Sequence, residues 1–261
     1  MTDLTSALRP VAILEFLAAR PDGASLREIR DELDLPRSSV WHLVRQLVEG
    51  GYVHRLDETR FAVGSRLLRM GLNVYQIASM GGDGRMFLQS LSTETGLDVY
   101  LAIRTEDSVV YADRVFGANS VQIRHRLGEP RSLHASAAGK LFLAFDQQGL
   151  WDRCVAGREL DAFTPHTITD HDALRAQLDE ARARGYVDIA NEVLMSIRSL
   201  GAMSFEPDGS PWAAVVVSAH ESDLAHRRDE VLKALIETVN QLSAARAVAG
   251  SAAGRSTTSS D

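Results

Sequence analysis

The stretch SLHASAAGK, residues 132–140, is where residue types and spacing come nearest to a chemical site. Gly139-Lys140 suggests a phosphate loop. The pattern G-x-x-x-x-G-K-[ST] would need glycine at 134, which is His134, and a hydroxyl residue after the lysine, where Leu141 stands. Ser136 and His134 suggest a nucleophile with its base. Two residues apart at a helix start, however, they point in different directions, and no G-x-S-x-G elbow occurs in the chain. A binding role suits the stretch better than catalysis. The small residues Ala135, Ser136, Ala137, Ala138 and Gly139 would let a ligand approach a helix N-terminus, whose first N–H groups and dipole favour a carboxylate. The bland alternative is that small residues only permit close helix–sheet packing. A second cluster, His166 and His171 beside Asp170 and Asp172, could hold a metal, but Thr169 to Asp172 reads better as a helix cap with solvated histidines. Neither a cofactor nor a metal is expected.

A third constellation lies in LPRSSVWHLVRQLVEGGYV, residues 35–53. Val40, Leu43, Val44 and Leu47 fall at i, i+3, i+4 and i+7, one apolar stripe of a helix. Ser38, Trp41, His42 and Arg45 share the opposite face, which carries no carboxylate between Arg37 and Gln46. A solvated helix more often mixes Glu and Lys. Arg37, Ser38 and Ser39 at the helix start suit phosphates. Trp41, His42 and Arg45 are placed for base edges or sugars, an arginine reaching guanine with two parallel donors. The rival reading is three core helices with a solvated outer face, Trp41 packing on a partner chain.

The preceding residues position this helix. Leu8, Val11, Ala12, Leu14, Phe16 and Leu17 make a helix that stops at PDG, residues 21–23. Ser25 and Glu28 have capping-box spacing before a helix with the stripe Leu26, Ile29 and Leu33. Pro36 suits the entrance to the next helix. After Gly50-Gly51, YVHRLDETRFAV alternates like two short strands around residues 57–59. Helix, turn, helix and hairpin compose a winged helix-turn-helix over residues 1–64. Arg55 or Arg60 of the wing would hold the flanking DNA backbone.

The chain of 261 residues has room for two domains, and its 45% hydrophobic and 24% charged content are those of a globular protein. A net charge of −7 argues against a protein that coats nucleic acid nonspecifically, so any DNA contact must be local. No apolar run approaches the ~20 residues of a membrane span, and the N-terminus lacks signal-peptide character, so a cytoplasmic protein with no membrane partner is expected. Cys154 is the only cysteine, which excludes an internal disulfide. Residues 65–82 read as a linker helix ending in glycines. Over 83–248, helices are expected at 85–95, 135–145, 170–184 and from 223. Strands are expected near 97–104, 108–115, 120–126, 186–190, 198–205 and 212–219, giving an antiparallel sheet in an α+β domain. Residues 249–261, small and polar, read as a disordered tail.

In AILEFLAARPDGASLREIRDELDLPRSSVWHLVRQLVEGGYV, FAVGSRLLRMG, SLHASAAGKLFLAF, FTPHTITDHDALRAQLDEARARGYV and PWAAVVVSAHESDL, the chain resembles the IclR-type bacterial transcription regulators from about Leu8 to Ala247. The resemblance implies a DNA-binding dimer, often paired into tetramers, that controls a catabolic operon. Its C-terminal domain, similar to a GAF fold, would bind a small metabolite. It implies an effector pocket drawn from Leu127, His134, Ala135, Ser136, Ala137, Ala138, Gly139, Ile189, Ile197, Ser199, Val216 and Ser218. Ser25 joins Arg37, Ser38, Ser39, Trp41, His42, Arg45, Arg55 and Arg60 on the DNA side. Departures are informative. Ile189 stands at a commonly acidic position, Ser199 replaces a cysteine, Ser196 a glycine, and Val216 a small residue, while Glu192 and Arg198 match. With fewer polar groups in its wall, the pocket should prefer an apolar or aromatic acid to a very small oxo-acid. A GAF-type sensor or scaffold whose helical domain binds protein is the second reading, and an enzyme the third.

Overall fold

The computed structural model describes residues 6–78, 83–120 and 126–256, and the chain divides into two compact units between Ile77 and Ala78. The glycines at 81 and 82, expected to mark the boundary, lie outside the described residues.

In the first unit, α1 (Arg9–Ala18) precedes a two-residue strand β1 (Ala24–Ser25) and α2 (Leu26–Leu33). The capping box is formed: the Glu28 amide donates to Ser25 Oγ at 3.2 Å, and the Ser25 amide donates to the Glu28 carboxylate at 2.7 Å. After α2, Asp34 takes a left-handed conformation (φ 48°), Leu35 is buried, and Pro36 caps α3 (Arg37–Glu49). Val40, Val44 and Leu47 of α3 pack with Ile13, Leu17 and Ile29 in one core. The stripe read from periodicity is thus the buried face. Strands β2 (Val53–Arg55) and β3 (Arg60–Val63) form the wing. Its turn is held by Asp57, whose carboxylate accepts from the Thr59 and Arg60 amides and the Thr59 hydroxyl. β1 pairs with β3, giving an antiparallel order β1-β3-β2 that sequence reasoning did not foresee, because two residues carry no alternation pattern. The linker helix is α4 (Ser65–Ala78). It follows Gly64, where a Cβ would meet the Gly51 carbonyl oxygen at 2.3 Å.

The second unit is built on a six-stranded sheet, antiparallel throughout, ordered β6-β5-β4-β9-β8-β7. In chain order it holds α5 (Asp83–Thr95), β4 (Asp98–Arg104), β5 (Val109–Val115) and β6 (Pro130–Arg131). Next come α6 (Ala137–Ala144), α7 (Leu150–Cys154), α8 (His171–Arg184), β7 (Tyr186–Ala190), β8 (Ile197–Phe205) and β9 (Pro211–His220). It closes with α9 (Glu221–His226) and α10 (Arg228–Ser256). Alternation along each strand divides the sheet between two cores. Tyr100, Val187, Met203 and Val216 meet Leu141 and Phe142 of α6 and Leu174 and Leu178 of α8. Val99, Leu200, Val215 and Val217 face Leu88 and Leu91 of α5 and Leu235 and Leu242 of α10. The fold is the expected α+β class. The expected strand at 120–126 falls mostly outside the described residues, and α7 and β6 were missed because each spans only a few residues. The expected last helix is two, α9 and α10. The tail expected to be disordered from 249 instead continues α10 as far as Ser256, although Gly250 and Gly254 disfavour helix there.

The loop from β7 to β8 shapes the site described below. Asn191 (φ 64°) and Ser196 (φ 63°) are both left-handed. Asn191 secures the loop by accepting from the Ser196 amide at 2.6 Å and donating to Glu221 at 2.7 Å. Asparagine tolerates this conformation better than serine does. Ser196→Gly is therefore expected to raise stability by about 0.5 kcal/mol, the relief of strain exceeding the added freedom of the unfolded chain. The denaturant midpoint should rise at constant m-value, and an unchanged or lower midpoint would contradict the strain argument.

Candidate nucleic-acid interface and effector cavity

In the first unit, α3 turns Arg37, Ser38, Trp41, His42 and Arg45 to solvent, with Trp41 53% exposed. Trp41 is therefore not a core residue of this unit. Its ring lies 5.5 Å from the Arg45 guanidinium, and Arg45 Nε donates to Glu49 at 2.8 Å. Such an exposed i, i+4 pair contributes only about 0.5 kcal/mol, so Arg45 can exchange Glu49 for another acceptor at little cost. Between the starts of α2 and α3 and the wing lies a groove of about 1100 Å³. It collects Arg27, Arg30, Arg37 and Arg55, with Glu58 the acid among its lining residues. Trp41 also borders a second hollow of about 390 Å³ toward the C-terminal half of α3. Ser25 and Ser38 line the groove, whereas Ser39 is half-buried. Arg60, expected on the DNA backbone, instead turns inward. It donates to the carbonyl oxygens of Asp22 at 3.0 Å and Gly23 at 2.6 Å and so clamps the wing to the turn before β1. Arg27 and Arg30 were overlooked. Their signal was two arginines at i, i+3 off the Leu26, Ile29 and Leu33 stripe, and both share Asp31 at the surface.

In the second unit, β7, β8 and β9 bring Ile189, Ser199 and Ser218 into register side by side. The two hydroxyls are 2.8 Å apart. With Tyr111, Arg131, Ser136, Ala137 and Ile197 they surround an inner cavity of about 30 Å³. An outer cavity of about 610 Å³ is lined by residues that include Leu133, His134, Val155, Leu160 and Phe163. Arg131, Ser136, Val193 and Leu194 border both. Burial pushes the Tyr111 phenol up to about 12, against the pull of the Arg131 charge, so at neutral pH it is an uncharged hydroxyl. Beneath the inner cavity Lys140 is wholly buried, its Nζ 2.5 Å from both Glu192 oxygens and also donating to Gln177. Burial pulls the Lys140 ammonium below its ordinary value although Glu192 opposes the shift.

Nucleophilic chemistry has no support in this geometry. Ser136 Oγ donates to the Ser132 carbonyl oxygen at 2.6 Å and accepts from the Gly139 amide at 3.0 Å, which makes it the helix cap. His134 is bonded at Nδ1 to Ser132 and at Nε2 to the Asp161 carbonyl oxygen, not to Ser136. Of the other pocket residues expected, Gly139 serves packing. A Cβ there would meet Ser132 and Leu133 backbone atoms at 2.4 to 2.5 Å. Ala135, Ala138 and Val216 are core residues without a share in either cavity, and Leu127 is 47% exposed. Arg198 points to the other face of the sheet, where Asp188 joins it to Arg228. Asp170 caps α8, and His171 bonds the Val155 carbonyl oxygen. Arg131 was missed: nothing in its local pattern distinguishes it from a surface arginine.

A winged helix-turn-helix with a basic groove, followed by an α+β unit with a walled cavity, defines a class of ligand-sensing DNA-binding proteins. Residues 77–244 match the family model for the bacterial transcriptional regulator IclR C-terminal domain, and residues 6–57 match the IclR helix-turn-helix domain. The chain belongs to the IclR family of DNA-binding transcriptional regulators. It is 34% identical over 180 residues to the "Probable transcriptional regulator SauR" of Cupriavidus necator, covering 69% of this chain and 71% of that protein. It is 27% identical to the glycerol operon regulatory protein of Streptomyces coelicolor, over 94% and 95% of the two chains. Among solved structures, Thermotoga maritima IclR superimposes with a TM-score of 0.77 at 26% identity, covering 94% of this chain and 100% of that one. An IclR homologue of Microbacterium hydrocarbonoxydans, complexed with 4-hydroxybenzoate, shares the fold at a TM-score of 0.81 and 20% identity, covering 93% and 99%. These relatives are regulators, not enzymes.

Proposed function

We propose that the groove of the first unit holds operator DNA and that the cavity of the second binds a small organic acid, apolar or aromatic, which modulates operator binding in the control of a catabolic operon. The observation that carries the DNA reading is the convergence of four arginines beside the exposed face of α3. Arg27, Arg30, Arg37 and Arg55 face phosphates, and Trp41, His42 and Arg45 face the major groove. The acid reading is supported by the hydroxyls of Ser199 and Ser218 in the inner cavity and by Arg131 and Arg158 in an outer cavity whose wall mixes Leu133, Val155, Leu160 and Phe163 with the carboxylates Asp107, Glu159 and Asp161. A second copy of the chain completes the assembly. Leu68 and Leu72 on one side of α4, and Met70 and Val74 on the other, are exposed apolar side chains that a dimer mate would cover. The site of action is the cytoplasm.

Fluorescence anisotropy on the protein's own upstream DNA tests this reading. Arg37→Ala is expected to weaken binding to specific and random duplex alike and to lower the salt slope by about 1. Arg45→Ala should cost about 1–3 kcal/mol on the operator and little on random sequence. Equal losses on both duplexes for both variants would contradict the sorting. The acid acts on DNA affinity only through preferring one arrangement of the two units, so DNA must change the acid's affinity by the same factor.

A further inference from the structure

Arg131 is positioned unlike any other arginine described in the second unit. It sits on β6 where the inner and outer cavities adjoin and borders both. Its Nε is buried and has no hydrogen-bond partner among the described residues. The Tyr111 ring, 5.9 Å from the guanidinium, backs it. Buried donors of this kind are normally satisfied, and an unsatisfied guanidinium N–H in a cavity wall calls for an acceptor from outside the chain.

We infer that Arg131 is the receptor for the effector's carboxylate, and that the body of the acid extends from it into the outer cavity. This rests on the acid-effector reading above and assigns the residue and the orientation. The inner cavity, at about 30 Å³, has room for little more than one water molecule or a single small group. The outer cavity, at about 610 Å³, accommodates a ring and its substituents against Leu133, Val155, Leu160 and Phe163. A carboxylate at the junction lies near Ser136 and Ala137, where the start of α6 adds favourable potential. Asp107, Glu159 and Asp161 line the outer cavity and disfavour a second negative charge, which favours a monocarboxylate over a phosphate dianion. Planar guanidinium matches planar carboxylate with two parallel bonds, a geometry lysine cannot supply.

The test uses the full chain. Pyruvate, benzoate, 4-hydroxybenzoate and phenylacetate are each screened beside the corresponding primary amide by thermal shift, and the tightest pair is taken to calorimetry with wild type, Arg131→Met and Arg131→Lys. Wild type should bind the acid about 10- to 100-fold more tightly than the amide. Arg131→Met should reduce that ratio to near one, and Arg131→Lys should fall between. If Arg131→Met does not fold, the wild-type acid-to-amide ratio and the Arg131→Lys affinity decide alone. Acid binding unchanged in the variants, an amide bound as tightly as its acid, or displacement of the acid by inorganic phosphate would overturn the assignment and leave the effector reading standing. Wild type that binds no acid of the panel would overturn both.

Discussion

Lys140→Met should destabilise the second unit by about 3–5 kcal/mol, the range for removing one member of a buried ion pair. Lys140 has no exposure to solvent and its ammonium grips both oxygens of Glu192, itself only 5% exposed. Without it, the carboxylate keeps only long contacts of 3.4 Å, from the Gln177 side chain and the Ile168 amide, and loses its compensating charge. The energy at issue is the desolvation of Glu192, so removing both charges should hurt less than removing one. Lys140→Met with Glu192→Leu is expected to recover most of the loss. Calorimetric unfolding of the single and double variants measures this. A single-variant loss below about 1 kcal/mol, or a double variant no better than the single, would show that the pair does not carry the energy assigned to it.

Gly139→Ala should cost about 3 kcal/mol, near the top of the range for overpacking, in spite of a helix-propensity gain of about 1 kcal/mol. The added Cβ would stand 2.4 Å from the Ser132 carbonyl oxygen and 2.5 Å from Leu133 Cα. Both are backbone atoms, and the same segment bonds Ser136 and His134, so it cannot yield without moving the start of α6. Acid binding should fall together with stability. Gly71→Ala in α4 is the control. Nothing in the same chain lies within 4 Å of its Cβ position, so at a protein concentration where the chain is monomeric the propensity term acts alone and should stabilise by about 0.5–1 kcal/mol. Chemical denaturation of the two variants should give opposite signs, and a destabilising Gly71→Ala or a neutral Gly139→Ala would refute the steric account.

Gly139 was legible as one of a run of small residues, but two readings competed, ligand approach and close packing. Only the position of Ser132 and Leu133 against the helix decided for packing at 139, while Ser136 and Ala137 came to border the cavity. Arg60 and Arg55 likewise looked equivalent on an alternating hairpin. Arg55 lines the groove, whereas Arg60 is held by the carbonyl oxygens of Asp22 and Gly23, 38 and 37 residues away in sequence.

What the sequence determined by itself is what local periodicity and capping encode: the buried stripe of α3, the Ser25–Glu28 box, the hairpin of the wing and the alternating strands of an antiparallel sheet. Those signals arise between residues a few positions apart, where backbone geometry fixes which side chains share a face. The tertiary structure alone decided the pairing of Lys140 with Glu192 across 52 positions, the inward turn of Arg60, and the burial of the Arg131 Nε between two cavities with no hydrogen-bond partner among the described residues. Each joins segments that no spacing rule relates. Whether a charged side chain meets solvent, an opposite charge or an empty cavity depends on which segments fold against it.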